Sequence, residues 1–161
     1  MACLAFLTGC ASVQTQIVIN APAKDVRKVL YDFGDYPAWN PFLVRVDGTA
    51  EEGKQLNVTV REAGKPEITG DVTVITLTDR QLSWTGTAMS QMESGTIDIG
   101  LPGVLSARHD FLIEEIGPGK TLFSNNDKIS GALVSLYNSK GLEAGLNAMN
   151  DALKKRVEQK P

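Results

Sequence analysis

Residues 132–158 read ALVSLYNSKGLEAGLNAMNDALKKRVE and contain no proline. This is the longest stretch of the chain with helical spacing. Its apolar residues recur mainly at steps of three and four, at Leu133, Leu136, Tyr137, Ala144, Ala148, Met149, Ala152, Leu153 and Val157. Such spacing puts the apolar side chains on one face of an α-helix. The segment therefore predicts a long C-terminal helix with one side packed against a core.

The chain before this segment has the pattern of short strands. Alternation is clearest in residues 55–61, where Leu56, Val58 and Val60 alternate with polar residues. Strands are expected at residues 14–20, 43–46, 55–61, 68–77, 81–87, 96–100, 106–115 and 121–130. A polar, irregular rim is expected at 89–95. The apolar phase changes at Val74–Ile75, which indicates either a bulge or a fully covered end of the strand.

Two short helical segments, residues 24–33 and 36–42, interrupt the strands after the first one. Short turns join the later strands, which favours an antiparallel sheet. The sequence therefore predicts an α+β fold, in which a curved antiparallel sheet of about six or seven strands wraps around the long C-terminal helix.

Composition excludes several classes of protein and of site. The formal net charge of -3 argues against a nucleic-acid partner, which would need a basic surface. No run of about 18 apolar residues is present, so no membrane-spanning helix is predicted. Both cysteines, Cys3 and Cys10, precede the strand pattern, and His109 is the only histidine. We therefore predict no disulfide, no metal site and no cofactor.

The first ten residues read MACLAFLTGC. The apolar run followed by Leu7-Thr8-Gly9-Cys10 resembles the lipobox of bacterial lipoproteins. This resemblance implies cleavage before Cys10 and a lipid anchor on its thiol. The protein would then be held in the bacterial cell envelope, at the outer membrane of a Gram-negative cell because no aspartate follows Cys10. Residues 1–13 would be the signal remnant and tether, with 11–14 as the linker, and 14–161 a single domain.

The alternative for this segment is an ordinary apolar tail on a cytoplasmic protein. No lysine or arginine precedes the apolar run, and the run is short. A translation start upstream of Met1 would account for both departures from the lipoprotein pattern.

A second resemblance lies at residues 30–42, LYDFGDYPAWNPF. It is similar to the Tyr-Pro-x-Trp-Asn-Pro signature of the SRPBCC superfamily, which includes START-type lipid-transfer domains and polyketide cyclase/dehydrase-like proteins. Weaker matches occur at residues 80–86, 109–111 and 149–158, and the resemblance extends over about residues 15–158. It implies a helix-grip fold with a ligand cavity between sheet and helix.

Residues expected to face that cavity come from the inward positions of the strands, from the long helix and from the signature segment. They are Trp39, Leu56, Val58, Val72, Trp84, His109, Phe111, Tyr137, Gly141, Gly145 and Met149. The glycines at 141 and 145 lie one helical turn apart. They mark either an open space for a ligand or a close approach of the helix to the sheet.

Three of these residues have equally ordinary structural explanations. His109 could be a buried histidine whose hydrogen bonds are satisfied by Tyr137 or Asn125, and not an acid–base catalyst. Trp39 could form an aromatic lid or simply pack over the sheet edge, with Asn40 bonding local backbone before Pro41. Trp84 could belong to the core.

The function favoured by these observations is non-catalytic binding of a small apolar or amphipathic ligand, such as a lipid, a sterol or a polyketide-like molecule. Two alternatives stay open. One is a cyclase/dehydrase-like enzyme that uses His109 as acid or base. The other is an envelope interaction protein with a filled core. The ligand's identity and the oligomeric state are left open by the sequence.

Overall fold

The computed structural model describes residues 9–87, 91–92, 95–96, 106–131, 134 and 139–159. Its elements in chain order are β1 (Gly9–Ile19), α1 (Ala23–Leu30), a 3-10 turn (Phe33–Asp35), α2 (Tyr36–Trp39), β2 (Leu43–Asp47), β3 (Gln55–Val60), β4 (Ile68–Leu77), β5 (Gln81–Thr87), β6 (Gln91–Met92), β7 (Gly95–Thr96), β8 (Ser106–Gly117), β9 (Lys120–Gly131) and α3 (Ser139–Glu158).

Seven strands form one antiparallel sheet in the order β1-β9-β8-β5-β4-β3-β2, while β6 and β7 pair separately. The large sheet curls into a half-barrel, and α3 lies on its concave side, close to β1 and β9. The first strand thus pairs with the last strand of the chain. The predicted α+β fold, with a curved antiparallel sheet around a C-terminal helix and two short helices after the first strand, is confirmed.

Strand β1 begins earlier than the sequence pattern predicts. Residues 11–14, expected to form a tether, lie in β1 and pair with residues 126–129 of β9. Side chains alternate along this extension, and Val13 and Thr15 are buried against the helix side of the sheet. Pairing satisfies the backbone groups of β9, which would otherwise form an open edge.

Other boundaries agree more closely. The register of β4 against β5 shifts between Val74 and Thr76, so the predicted bulge is confirmed. The expected strand at 96–100 and the rim at 89–95 lie mostly outside the described residues, as do Leu133, Leu136 and Tyr137 of the predicted helix.

The buried face of α3 is rotated relative to the predicted one. Its buried residues are Leu142, Leu146, Met149, Asn150, Leu153 and Val157. Ala144 and Ala148, expected to face the core, are exposed. Burial stabilises by about 0.8 kcal/mol per methylene group, so leucine gains more than alanine from the inward position. The leucines therefore determine which side of the helix turns inward.

The space beneath the C-terminal part of α3 is filled with side chains. The largest fully buried ones include Tyr36, Phe111, Phe123, Ile19, Leu30, Leu56, Leu82, Ile129, Leu146, Met149 and Leu153. The rings of Phe111 and Phe123 are stacked with their centres 6.1 Å apart, and Trp84 meets Phe111 edge-on at 5.1 Å. These side chains belong to one packed hydrophobic core.

The signature segment turns the chain from α2 into β2. The buried side chain of Asn40 accepts hydrogen bonds through Oδ1 from the backbone N–H groups of Phe42, at 3.1 Å, and Leu43, at 3.0 Å. The Tyr36 hydroxyl donates to the Leu30 carbonyl at 2.7 Å, and burial raises the pKa of this phenol, which keeps the donor protonated. The predicted structural role of Asn40, bonding the local backbone, is therefore confirmed. Its side chain holds the backbone of Phe42 and Leu43 in place.

Gly145 is the point at which α3 meets this segment. A Cβ atom placed on Gly145 would lie 2.9 Å from Cγ of Phe42 and closer still to two other atoms of the ring. Of the two explanations for the glycine pair, close approach is the correct one for Gly145. Its neighbour is the Phe42 ring, at the start of β2.

Gly145→Ala is expected to destabilise the protein. Replacing glycine in a helix interior by alanine ordinarily stabilises by about 0.5–1 kcal/mol. Overpacking a filled contact typically costs about 1–3 kcal/mol, and here this term should exceed the helical gain. We expect a net loss of about 1 kcal/mol, measured as a lower urea midpoint with an unchanged slope.

The double variant Phe42→Leu/Gly145→Ala supplies the control, because the smaller side chain removes the obstructing ring. On the Phe42→Leu background, Gly145→Ala should recover its ordinary stabilising effect. Ala144→Gly, at an exposed position of the same helix, measures the helical propensity term by itself. If Gly145→Ala stabilised the otherwise wild-type protein, the Phe42 ring would not restrict this position.

Candidate ligand-binding site

A cavity of about 70 Å³ lies between the concave face of the sheet and the beginning of α3. Its lining residues are Phe42, Leu43, Val58, Val60, Glu62, Ile68, Val72, Trp84, Gly86, Ala107, His109, Asp127 and Leu142. One water molecule needs only about 10–15 Å³ of such space, so the cavity has room for several waters or a small organic group. It is smaller than the ~300–1,000 Å³ typical of pockets for drug-sized ligands.

The wall of the cavity is mainly apolar, with aliphatic side chains from β3 and β4 and the indole of Trp84 from β5. Three of the lining side chains are ionisable: Glu62, His109 and Asp127. Glu62 accepts a hydrogen bond from Lys65 Nζ at 2.7 Å, which neutralises its charge locally. His109 and Asp127 together form one polar patch on an otherwise apolar surface.

His109 and Asp127 are cross-strand neighbours on β8 and β9. His109 Nδ1 lies 3.3 Å from Asp127 Oδ2, and the two side chains are 6% and 11% exposed. Antiparallel pairing of inward-facing positions therefore brings an imidazole and a carboxylate together at the cavity wall.

A buried chain of hydrogen bonds continues from the other ring nitrogen of His109. His109 Nε2 lies 2.6 Å from Asn125 Oδ1, and Asn125 Nδ2 donates to Asn150 Oδ1 at 3.0 Å. Asn150 Nδ2 donates to the Thr15 hydroxyl at 3.0 Å, and that hydroxyl donates to the Asn125 carbonyl at 2.8 Å. The chain joins β1, β9 and β8 to α3.

The backbone carbonyl of Asn125, at the end of this chain, determines which group donates in each of the hydrogen bonds. A carbonyl can only accept, so the single hydroxyl proton of Thr15 points to it and Thr15 must accept from Asn150. The same logic passes through both amides and makes His109 Nε2 the donor to Asn125. The structural explanation of His109, a buried histidine satisfied by Asn125, is therefore confirmed, although the same side chain also borders the cavity.

Trp84 also combines both of its expected roles. It is buried, and its ring lies 5.1 Å from that of Phe111 and 5.6 Å from that of His109. It thus closes the packed core on one side and lines the cavity on the other.

The structure separates the predicted ligand-binding residues into groups. Val58, Val72, Trp84 and His109 line the cavity. Leu56, Phe111 and Met149 are fully buried in the packed core.

The remaining predicted residues lie elsewhere. Gly145 is in contact distance of Phe42, and Gly141 lies in the first turn of α3. Trp39 is half-buried and packs against Tyr36, with 5.0 Å between ring centres. It is not among the lining residues, so its placement fits packing better than a lid. Tyr137 lies outside the described residues.

Sequence reasoning missed several lining residues, namely Phe42, Leu43, Glu62, Gly86, Ala107, Asp127 and Leu142. For Asp127 a signal existed. It shares its side of β9 with Phe123, Asn125 and Ile129, so strict alternation would have placed a carboxylate on an apolar face.

Among the described residues no group of three or more His, Cys, Asp or Glu side chains could hold a metal ion. In the same part of the chain, no helix has the length and apolar character needed to cross a membrane.

Three solved structures illustrate the similarity of the fold. A START superfamily protein from Mycobacterium smegmatis has a TM-score of 0.67 and 19% identity, with 92% of this chain and 97% of that one covered. The Zhui aromatase/cyclase from Streptomyces sp. R1128 has a TM-score of 0.68 and 15% identity over 94% and 95% of the chains. Norcoclaurine synthase from Thalictrum flavum, in complex with dopamine and hydroxybenzaldehyde, has a TM-score of 0.67 and 16% identity over 100% and 95%.

At these identities the likeness shows the fold and not the activity. No curated protein sequence matches the chain. Residues 11–158 match the family model described as polyketide cyclase / dehydrase and lipid transport. Since that match covers nearly the whole chain, this protein belongs to the polyketide cyclase/dehydrase and lipid transport family, within the START-like SRPBCC superfamily.

Proposed function

We propose that this protein binds a small, largely apolar molecule in the cavity beneath the start of α3, without reacting with it. The observation that carries the proposal is the lining, in which one polar patch, His109 and Asp127, interrupts aliphatic and aromatic side chains. Burial of apolar surface, worth about 25 cal/mol per Å², would supply the affinity, and the polar patch would orient the ligand.

The packed core limits the part of the ligand that can enter. Of the described residues of α3, Leu142 lines the cavity, whereas Leu146 and Met149 are fully buried in the core. A short alkyl group, or the edge of an aromatic ring, suits the observed volume. Larger lipids, sterols or polyketides would enter with one end only.

Toluene, a small apolar molecule that can enter the cavity with its methyl end, is expected to bind the wild-type protein and to be excluded by Ala107→Leu. Ala107 lines the cavity on β8, and a larger side chain there would occupy it. We expect toluene affinity, measured by NMR titration of backbone amides, to fall at least about tenfold, which corresponds to about 1.4 kcal/mol. Ala144→Leu makes the same change at an exposed position of α3 and should bind as the wild type does.

No binding of toluene to the wild-type protein would contradict the proposal and would favour an interaction protein with a filled core. Equal binding by Ala107→Leu and the wild type would show that toluene binds elsewhere. Native mass spectrometry of freshly purified protein gives an independent view, since a molecule retained from the host should be lost in Ala107→Leu.

A cyclase/dehydrase-like enzyme is the second candidate function. The observation in its favour is the 3.3 Å approach of His109 to Asp127 at the cavity wall, an arrangement suited to acid–base chemistry. Against it, His109 already donates to Asn125, so the ring would have to break a buried hydrogen bond to exchange a proton with a substrate. We therefore rank it below simple binding.

The enzymatic candidate predicts consumption of linear polyketones that can cyclise with loss of water, followed by mass spectrometry. His109→Gln should abolish that turnover while toluene still binds, because glutamine retains an N–H donor for Asn125. No turnover by the wild-type protein, or turnover that survives His109→Gln, would remove His109 from this role.

We further propose that Cys10 carries a lipid anchor that holds the protein in a bacterial cell envelope. Two observations support this proposal. Cys10 is exposed, so its thiol is accessible to a modifying enzyme. The family match begins at residue 11, directly after this cysteine, so cleavage before Cys10 would leave the matched region intact.

Labelled palmitate should be incorporated when the gene is expressed in a bacterium together with its own upstream sequence. Cys10→Ser is expected to abolish labelling, and Cys3→Ser, which replaces the other cysteine of the same segment, to retain it. Labelling that survives Cys10→Ser, or no labelling of the wild-type protein, would exclude the anchor.

A further inference from the structure

The polar patch of the cavity offers a ligand an acceptor and no available donor. We propose, on the basis of the binding function above, that the cavity selects ligands whose polar group donates a hydrogen bond, such as a hydroxyl or an ammonium group, and rejects carboxylates. The selecting residue is Asp127.

His109 has no N–H group available to a ligand while its ring is neutral. Its Nε2 proton is directed to Asn125 Oδ1 by the chain of hydrogen bonds that starts at the Asn125 carbonyl. Its Nδ1 lies 3.3 Å from Asp127 Oδ2. Nδ1 of the neutral ring carries no proton, so it adds a second acceptor beside Asp127 and no donor.

Asp127 has unused acceptor capacity. Its Oδ1 atom is fully buried and has no hydrogen-bond partner among the residues that the structure describes, so Oδ2 is the oxygen that a ligand in the cavity can reach. Oδ2 faces Nδ1 of His109, which in the neutral ring is itself an acceptor. An ionised carboxylate accepts at both oxygens and donates at neither. A buried acceptor without a partner carries its full desolvation cost, so a donor brought by the ligand would be favoured there.

The charges around the cavity also favour a ligand with a donor group over a carboxylate. The ionisable lining residues are Glu62, His109 and Asp127, and no lysine or arginine belongs to the lining described for this cavity. Lys65 forms an ion pair with Glu62 and is not itself a lining residue. A ligand carboxylate would therefore meet negative charge with no lysine or arginine in the lining to offset it, whereas an ammonium group would meet an opposite charge.

The test compares ligands that share one ring and differ in the polar group. Benzyl alcohol and benzylamine supply donors, benzoate supplies an anion, and toluene measures occupancy of the cavity alone. We expect NMR titrations to give benzyl alcohol and benzylamine at least about tenfold higher affinity than benzoate, the scale of one hydrogen bond to a charged group.

Asp127→Asn, which keeps the shape of the side chain and adds a donor, should bring the ratio of benzyl alcohol to benzoate affinity close to one. Asp151→Asn removes an equal charge from an exposed position of α3 and should leave the ratio as in the wild type. The wild-type series is decisive even if Asp127→Asn fails to fold.

Benzoate binding as tightly as benzyl alcohol to the wild-type protein would overturn the inference, as would an unchanged ratio in folded Asp127→Asn. In both cases toluene binding would leave the proposed function standing. Failure of toluene itself to bind would instead overturn the binding function, and the inference with it.

Discussion

A buried chain of polar side chains ties the sheet to the helix that it encloses. Thr15, Asn125, Asn150 and His109 belong to β1, β9, α3 and β8, and each makes its hydrogen bond only if the others are in place. Such a network stabilises one arrangement because a half-satisfied version leaves buried donors and acceptors without partners. The orientation of His109 at the cavity wall is a consequence of this constraint.

The space between sheet and helix is divided into two parts. Beneath Leu146, Met149 and Leu153 it is a packed core, and near Leu142 it opens into the cavity. The sequence left open whether the space between sheet and helix is filled or forms a cavity. It forms a cavity near the start of α3 and is filled further along the helix. Members of this fold include proteins described as enzymes, so local chemistry at the open end and not the architecture decides what the chain does.

Much of the fold could be predicted from local patterns. Alternation placed the long strands and the bulge at Val74, and the chain order of the elements gave the architecture. The candidate site was harder to predict from the sequence. For α3 the signal was present, since Leu142, Leu146, Met149, Leu153 and Val157 recur at steps of three and four. The predicted face was wrong because it followed Ala144 and Ala148 and left out Leu142 and Leu146. The contact of Gly145 with Phe42 joins distant parts of the chain and follows only from the completed fold. His109 and Asp127 lie within the hairpin of β8 and β9, so the position of its turn and the alternation along both strands would indicate their pairing.

The pairing of β1 with β9 has a consequence for folding. The hydrogen bond from Thr15 to Asn125 spans 110 positions in the chain, so the first strand can take its place only after the last one has been synthesised. Sheets with such distant pairings fold slowly, on a scale of about milliseconds to seconds, because the loop must close before the contacts form. Until β9 has been made, β1 has no partner strand, and its unpaired backbone groups are open to contact with other chains.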